Sequence, residues 1–168
     1  MRAILFIGFL GLLLSGCSNY HLGTGGHTTF RTLYVAPVVN ENSNLPQAVA
    51  IVSTQIREAF LRDPRVILVN TPGEADATLS VSLVSYSRLA QTNQSTDTGL
   101  ARKFDVTLNA EATLRDNRDN KVIFHDRKVQ AVRQVFVDSG QLQAEYQNIP
   151  LLAEELGKNV LSATLDVW

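Results

Sequence analysis

The residues able to do chemistry in this chain are few, and their spacing says more about attachment than about catalysis. Its one cysteine, Cys17, follows Leu14-Ser15-Gly16. Small residues ahead of a cysteine let the backbone lie extended in a narrow peptidase cleft, and the thiol behind them can carry a thioether. A second set is cationic. Arg88, Arg102 and Lys103 flank the polar stretch 91–99, and guanidinium and ammonium groups gathered in one place bind phosphate through charge-assisted hydrogen bonds. Arg127, Lys128 and Arg133 form another basic group, with Asp126 beside it. The bland reading of both sets is solvated cations on strand ends.

Catalytic and metal-binding patterns do not assemble. The sequence holds no Gly-x-Ser-x-Gly elbow and no His-Glu-x-x-His pair. Glu154 and Glu155 are adjacent, and neighbouring helical residues point apart. His21 and His27 lie near each other while His125 is remote, so the three histidines offer no zinc-binding arrangement. Gly23 to Gly26 lacks the Gly-Lys-Ser/Thr of a phosphate loop. A lone cysteine excludes an intramolecular disulfide, and a thioether on Cys17 leaves no thiolate nucleophile. The expectation is a non-enzymatic protein with no cofactor and no metal.

The amino-terminal segment gives Cys17 its context. Arg2 supplies a positive charge, and the 12 residues Ala3 to Leu14 are apolar apart from glycines. A helix of that length is too short for a bilayer core of about 30 Å, so the segment reads as a secretory signal peptide. Leu14-Ser15-Gly16-Cys17 resembles the bacterial lipobox, in which the cysteine becomes the acylated first residue. An ordinary signal peptide with a cysteine nearby is the competing reading. Residues 1–16 are thus expected to be a lipoprotein signal peptide, 17–29 a lipidated tether rich in Gly, Thr and polar residues, and 30–168 a single domain. A diacyl group plus an amino-terminal acyl chain would hold the membrane firmly, each buried methylene contributing about 0.8 kcal/mol. In enterobacterial lipoproteins an Asp after the cysteine retains the protein in the inner membrane, so Ser18 leans toward the outer one.

The chain as a whole has the composition of a globular domain: 45% apolar and 18% charged residues, with a net charge of −1. A pI near 6.3 without a basic stretch gives no support to nucleic-acid binding. Thr32 to Val38 reads as a strand stopped by Pro37. Val49, Val52, Ile56, Ala59 and Phe60 recur at helical spacing and predict a helix over Pro46–Arg62, ended by Asp63-Pro64. Val66 to Val69 is a short apolar run. Ala77 to Leu89 alternates with a change of phase that predicts a bulge near Val84. Lys103 to Leu114 alternates cleanly, which predicts one buried and one wet face. Asp116 to Asn120 is a turn, and Lys121 to Val137 is a last, less regular strand. The closing segment predicts two helical pieces, Gln141 to Asn148 and a longer one from Pro150, with Leu152, Leu156 and Val160 on its inner face. The fold class is α+β: a two-layer sandwich of two amphipathic helices on a mostly antiparallel sheet of about four strands.

Four stretches in this order resemble the lipopolysaccharide-assembly lipoprotein family LptE, also called rare lipoprotein B. They are the acylated-cysteine start Cys17-Ser18-Asn19-Tyr20-His21-Leu22, the first strand Leu33-Tyr34-Val35-Ala36-Pro37-Val38-Val39-Asn40, the strand entry Glu74-Ala75-Asp76-Ala77-Thr78-Leu79, and the closing helix with Glu145, Leu152-Ala153 and Trp168. The resemblance covers essentially all of residues 17–168. Asn19 stands where the family favours Gly, and the loop from His21 to Thr29 is extended. The resemblance implies a non-enzymatic outer-membrane lipoprotein that assists assembly of the LptD β-barrel and plugs its lumen during lipopolysaccharide transport. Lipopolysaccharide phosphates then become the expected partners of Arg88, Arg102 and Lys103. Another periplasmic-facing accessory lipoprotein, activating a peptidoglycan synthase or assembling a secretin or export pore, is the alternative.

Overall fold

The computed structural model describes residues 29–90, 103–136 and 141–166. Six strands and two α-helices follow one another, with a 3-10 turn at Pro72–Glu74 before the fourth strand: β1 (Thr32–Val35), β2 (Val39–Asn40), α1 (Ala48–Leu61), β3 (Ile67–Val69), β4 (Ala77–Ala90), β5 (Lys103–Asp116), β6 (Lys121–Phe136) and α2 (Gln141–Leu165). Both helices pack on one face of a single sheet, giving the expected two-layer α+β arrangement. The sheet has six strands in the order β3-β1-β4-β5-β6, with β2 also on β4, instead of about four. The two strands that the sequence reading did not count are β2 and β3, of two and three residues. Runs that short hold no alternation to read, and they are strands only because neighbours pair with them.

Pairing divides the sheet into two halves. β1 is parallel to β3 and β4, and β2 is parallel to β4, as a strand–helix–strand path requires. The long β4, β5 and β6 are antiparallel neighbours. Proline splits the predicted first strand: β1 ends at Val35, and the chain resumes past Pro37 as β2, opposite Ser82 and Leu83. Asn40 then closes the loop into α1, its Oδ1 accepting from the Ser43 amide at 2.9 Å and hydroxyl at 2.7 Å.

The predicted bulge is present, as a register shift between Leu83 and Ser85. A second one makes β6 irregular. Ala112 faces Arg127 and Leu114 faces Phe124, so His125 and Asp126 together oppose Thr113. Asp126 has φ 47° and is held by its amide donating to Thr113 Oγ1 at 3.1 Å.

The core lies between sheet and helices. Val52, Ile56 and Phe60 of α1 and Leu156 and Val160 of α2 are fully buried, as are Leu79, Leu83 and Leu114 beneath them. The carboxy-terminal helix is one continuous element, Gln141–Leu165, with Pro150 inside it, where two pieces were expected. Pro150 removes one internal hydrogen bond, and the burial of Ile149, Leu152 and Ala153 on either side offsets that loss. Gly157 is where α1 and α2 meet: a Cβ there would stand 2.9 Å from the Gln55 carbonyl oxygen. No helix among the described residues is long and apolar enough to cross a membrane.

Candidate functional site at the distal end of the sheet

β4, β5 and β6 outrun the other strands. β2 leaves β4 at Leu83, so beyond the bulge these three form a ribbon that carries Arg88, Lys103 and Arg133. Register decides their faces, because successive side chains alternate. Val106 is buried beneath the helices and pairs with Arg88 on one side and Arg133 on the other, so both arginines stand on the helix face. Lys103 lies opposite Phe136, and Asp105 opposite Leu89 and Gln134, on the open face. Arg88 and Lys103 therefore share an end of the sheet but project from opposite sides of it. Without the bulge, Arg88 would have had the other parity. Arg102 lies outside the described residues.

Each cation rests on an aromatic ring. The Arg88 guanidinium is 5.4 Å from the Phe104 centroid, and Lys103 Nζ is 5.9 Å from that of Phe136. Such seating holds a cation by its attraction to the ring face. Around Lys103 the open face exposes Leu89, Val132 and Phe136 at 69%, 49% and 62%. An apolar patch with an ammonium at its edge suits an amphiphile bearing phosphate. Sequence reading missed these apolar and aromatic members. Their signal was present in β6, where Val132 and Phe136 fall out of phase with the buried Val129, Ala131 and Val135.

Further down, the open face is hydrophilic. Ser80, Ser82 and Ser85 of β4 share it with Asn109 and Glu111 of β5 and Lys128 and Gln130 of β6. A shallow groove of about 530 Å³ lies beside the bulge, where Asn109 Nδ2 donates to Ser85 Oγ at 2.9 Å. The second basic group disperses. Arg127 stacks on Phe124 at 4.0 Å and donates to the Ala163 carbonyl at 2.5 Å, which closes the end of α2. Lys128 faces Glu111 on the open side, and Arg133 lies on the helix side.

The opposite end, where the chain arrives from Cys17, is a knot of short hydrogen bonds. Asp76 Oδ2 accepts from the amides of Arg31 at 2.8 Å and Thr32 at 2.9 Å, and the Asp76 amide donates to Thr32 Oγ1 at 2.8 Å. Those amides, Thr32 foremost, hold the Asp76 carboxyl below the usual carboxylate range. Asp116 is forked to Arg118 through Nε at 3.0 Å and Nη2 at 2.5 Å, and that guanidinium brings its pKa down to about 2. Arg65 joins Asp63 at 2.7 Å to Asp166 at 2.6 Å, tying the exit of α1 to the end of α2 and lowering both carboxyls. No cluster of residues fit to hold a metal ion occurs among the described residues.

The fold agrees with the comparison to known families. Residues 30–164 match the lipopolysaccharide-assembly family LptE. The chain belongs to the LptE family. The match begins one residue inside the described fold and ends one residue before α2 does, so it is the domain as a whole that makes the chain an LptE protein. No curated protein matches it. Among solved structures, a protein from Xanthomonas campestris superposes with a TM-score of 0.56 at 13% identity, over 83% of this chain and 86% of that one. A hypothetical protein from Chlamydia trachomatis gives 0.55 at 11% identity, over 79% and 94%. An uncharacterized lipoprotein B from Nitrosomonas europaea gives 0.52 at 17% identity, over 82% and 81%. Identities that low speak for the fold alone. Within this LptE fold, the Ala75-Asp76 stretch that carried part of the resemblance is a structural knot. Cys17 and Trp168 lie outside the described residues.

Proposed function

We propose that this LptE protein is an outer-membrane lipoprotein, anchored through an acylated Cys17, whose domain assists assembly of an LptD-like β-barrel and plugs its lumen during lipopolysaccharide transport. The observation that carries this reading is the family match across the folded domain. The surface supports it: a barrel wide enough to enclose a domain has a polar, wet lumen, and the open face offers Ser, Thr, Asn and Gln side chains on a chain of net charge −1. In this proposal Arg88, Arg102 and Lys103 meet lipopolysaccharide phosphates, with the exposed apolar residues beside Lys103 receiving the lipid part. The role is one of binding and assembly, with no catalytic step.

The deciding experiment is affinity purification from gently solubilised outer membranes, with mass spectrometry of partners present in stoichiometric amounts. A single large β-barrel protein in roughly equal amount is the expected result. Recovery of a cell-wall synthase or a secretin in its place would sink the plug reading and move the protein to another class of envelope accessory lipoprotein.

A further inference from the structure

The two edges of the sheet are unequal. β3 closes one side with 3 residues, while β6 closes the other with 16. An edge strand turns the backbone N–H and C=O of every second residue away from its neighbour. One bond fixes which residues of β6 these are: Asn159 Nδ2 of α2 donates to the Gln130 carbonyl oxygen at 2.8 Å, so that carbonyl points away from β5. No register shift intervenes between Gln130 and Phe136. Alternation then turns the backbone groups of Val132, Gln134 and Phe136 outward as well.

Protection of this edge stops halfway. Toward the β5–β6 turn, the bulge at His125 and Asp126 interrupts the strand, Arg127 is bonded to the end of α2, and Asn159 takes the Gln130 carbonyl. Bulges and covering groups of this kind keep an edge from pairing. Beyond Gln130, among the described residues, no hydrogen bond reaches the outward groups of Val132, Gln134 and Phe136. Their side chains share the open face, where Val132 and Phe136 are exposed.

We infer that this distal edge of β6 pairs antiparallel with the same edge of a second copy of the chain, about a two-fold axis at Gln134. The inference depends on neither the barrel nor the lipopolysaccharide of the proposed function. An edge with this pattern is self-complementary across a two-fold axis, and side-chain matching chooses the register. With the axis at Gln134, Val132 stands opposite Phe136 of the second copy, so the exposed apolar residues meet each other. On the helix face Arg133 then stands opposite Val135. An axis at Arg133 would oppose two guanidinium groups and would need the Gln130 carbonyl, which Asn159 already holds. An axis at Val135 would set Phe136 against Gln134. A two-fold axis normal to the sheet keeps the helices of both copies on one side and joins their open faces into one. The contact is short, so the dimer is a weak one, favoured where copies are concentrated.

The test is cysteine cross-linking of the full chain in envelope membranes, with the parent, whose one cysteine is Cys17, as background. Opposed residues that exchange hydrogen bonds have Cα atoms about 5.5 Å apart, within reach of a disulfide or a short thiol cross-linker. Gln134→Cys alone is expected to give a product of twice the chain mass, and so is Val132→Cys produced together with Phe136→Cys. Val132→Cys or Phe136→Cys alone sets the paired thiols about 14 Å apart along the strands and is expected to give several-fold less. Equal yields at all three positions, or none above the parent, would overturn the proposal; a product joining position 134 to a larger protein in place of a second copy would do the same. A second variant addresses the backbone. Val132→Pro removes an outward N–H and leaves the ladder to β5 intact. In the Gln134→Cys background it is expected to lower the dimer yield several-fold while the cooperative melt persists, whereas Val132→Thr is expected to keep the yield. Full yield from the folded proline variant would show that this edge does not pair.

Discussion

Gly157 stands in the interior of α2, where glycine is less favourable than alanine by about 1 kcal/mol, because the backbone of α1 passes there. The carbonyl carbon and oxygen of Gln55 lie 3.0 and 2.9 Å from where a Cβ would be, and backbone atoms cannot rotate aside as a long side chain can. Gly157→Ala is therefore expected to destabilise by about 1–2 kcal/mol, overpacking outweighing the gain in helix propensity. Thermal melting measures it, and a rise in Tm would mean the helices part more easily than their packing implies. The distal cations give a second prediction at this scale. Since Arg88 and Lys103 project from opposite faces, Lys103→Glu, next to exposed Phe136 and Leu89, is expected to weaken lipopolysaccharide binding more than Arg88→Glu does. Binding isotherms on folded variants decide it, and equal binding by both variants and the parent would return these residues to solvated strand-end cations.

At the scale of elements, the amphipathic stripes foreseen in the sequence are the surfaces that pack. Val52 of α1 and Leu156 of α2 are both 0% exposed, each on the stripe that its helical spacing marks. Val52→Asp or Leu156→Asp would bury a carboxylate without a partner, which costs several kcal/mol, and either is expected to abolish the cooperative melt. A folded variant with unchanged Tm would show that the stripe does not carry the core. Strands were legible to the extent that they were long. The alternation of β5 survives in the structure because one face is covered by helices and the other is wet, and the phase change in β4 corresponds to a real bulge. β2 and β3 left no such trace. Pro150 misled as to the helix end, since a proline within a helix is tolerated where the surrounding turns are held by buried side chains.

For the molecule as a whole, pH offers a test of the knot at the tether end. Asp63, Asp76, Asp116 and Asp166 all have carboxyl pKa values lowered in the folded state. A lowered folded pKa contributes stability that is present above the unfolded value, near 3.9, and lost as pH falls through the folded one. Stability is thus expected to hold from neutrality to about pH 4 and to decline from there toward pH 2, where Asp116 titrates at about 2. Asp116→Asn should flatten part of that decline, as read by melting at a series of pH values; an identical acid limb in the variant would remove Asp116 from the account. The sequence by itself determined the helical stripes, the long strands, the first bulge and the family, because these are recorded in the local order of apolar and polar residues. Only the tertiary structure decided that the sheet has six strands, that Arg88 and Lys103 stand back to back, and that Asp76 and Arg118 meet the chain at residues 29–32. Those outcomes depend on register between segments far apart in sequence, and a shift of one residue in a strand sends every following side chain to the other face.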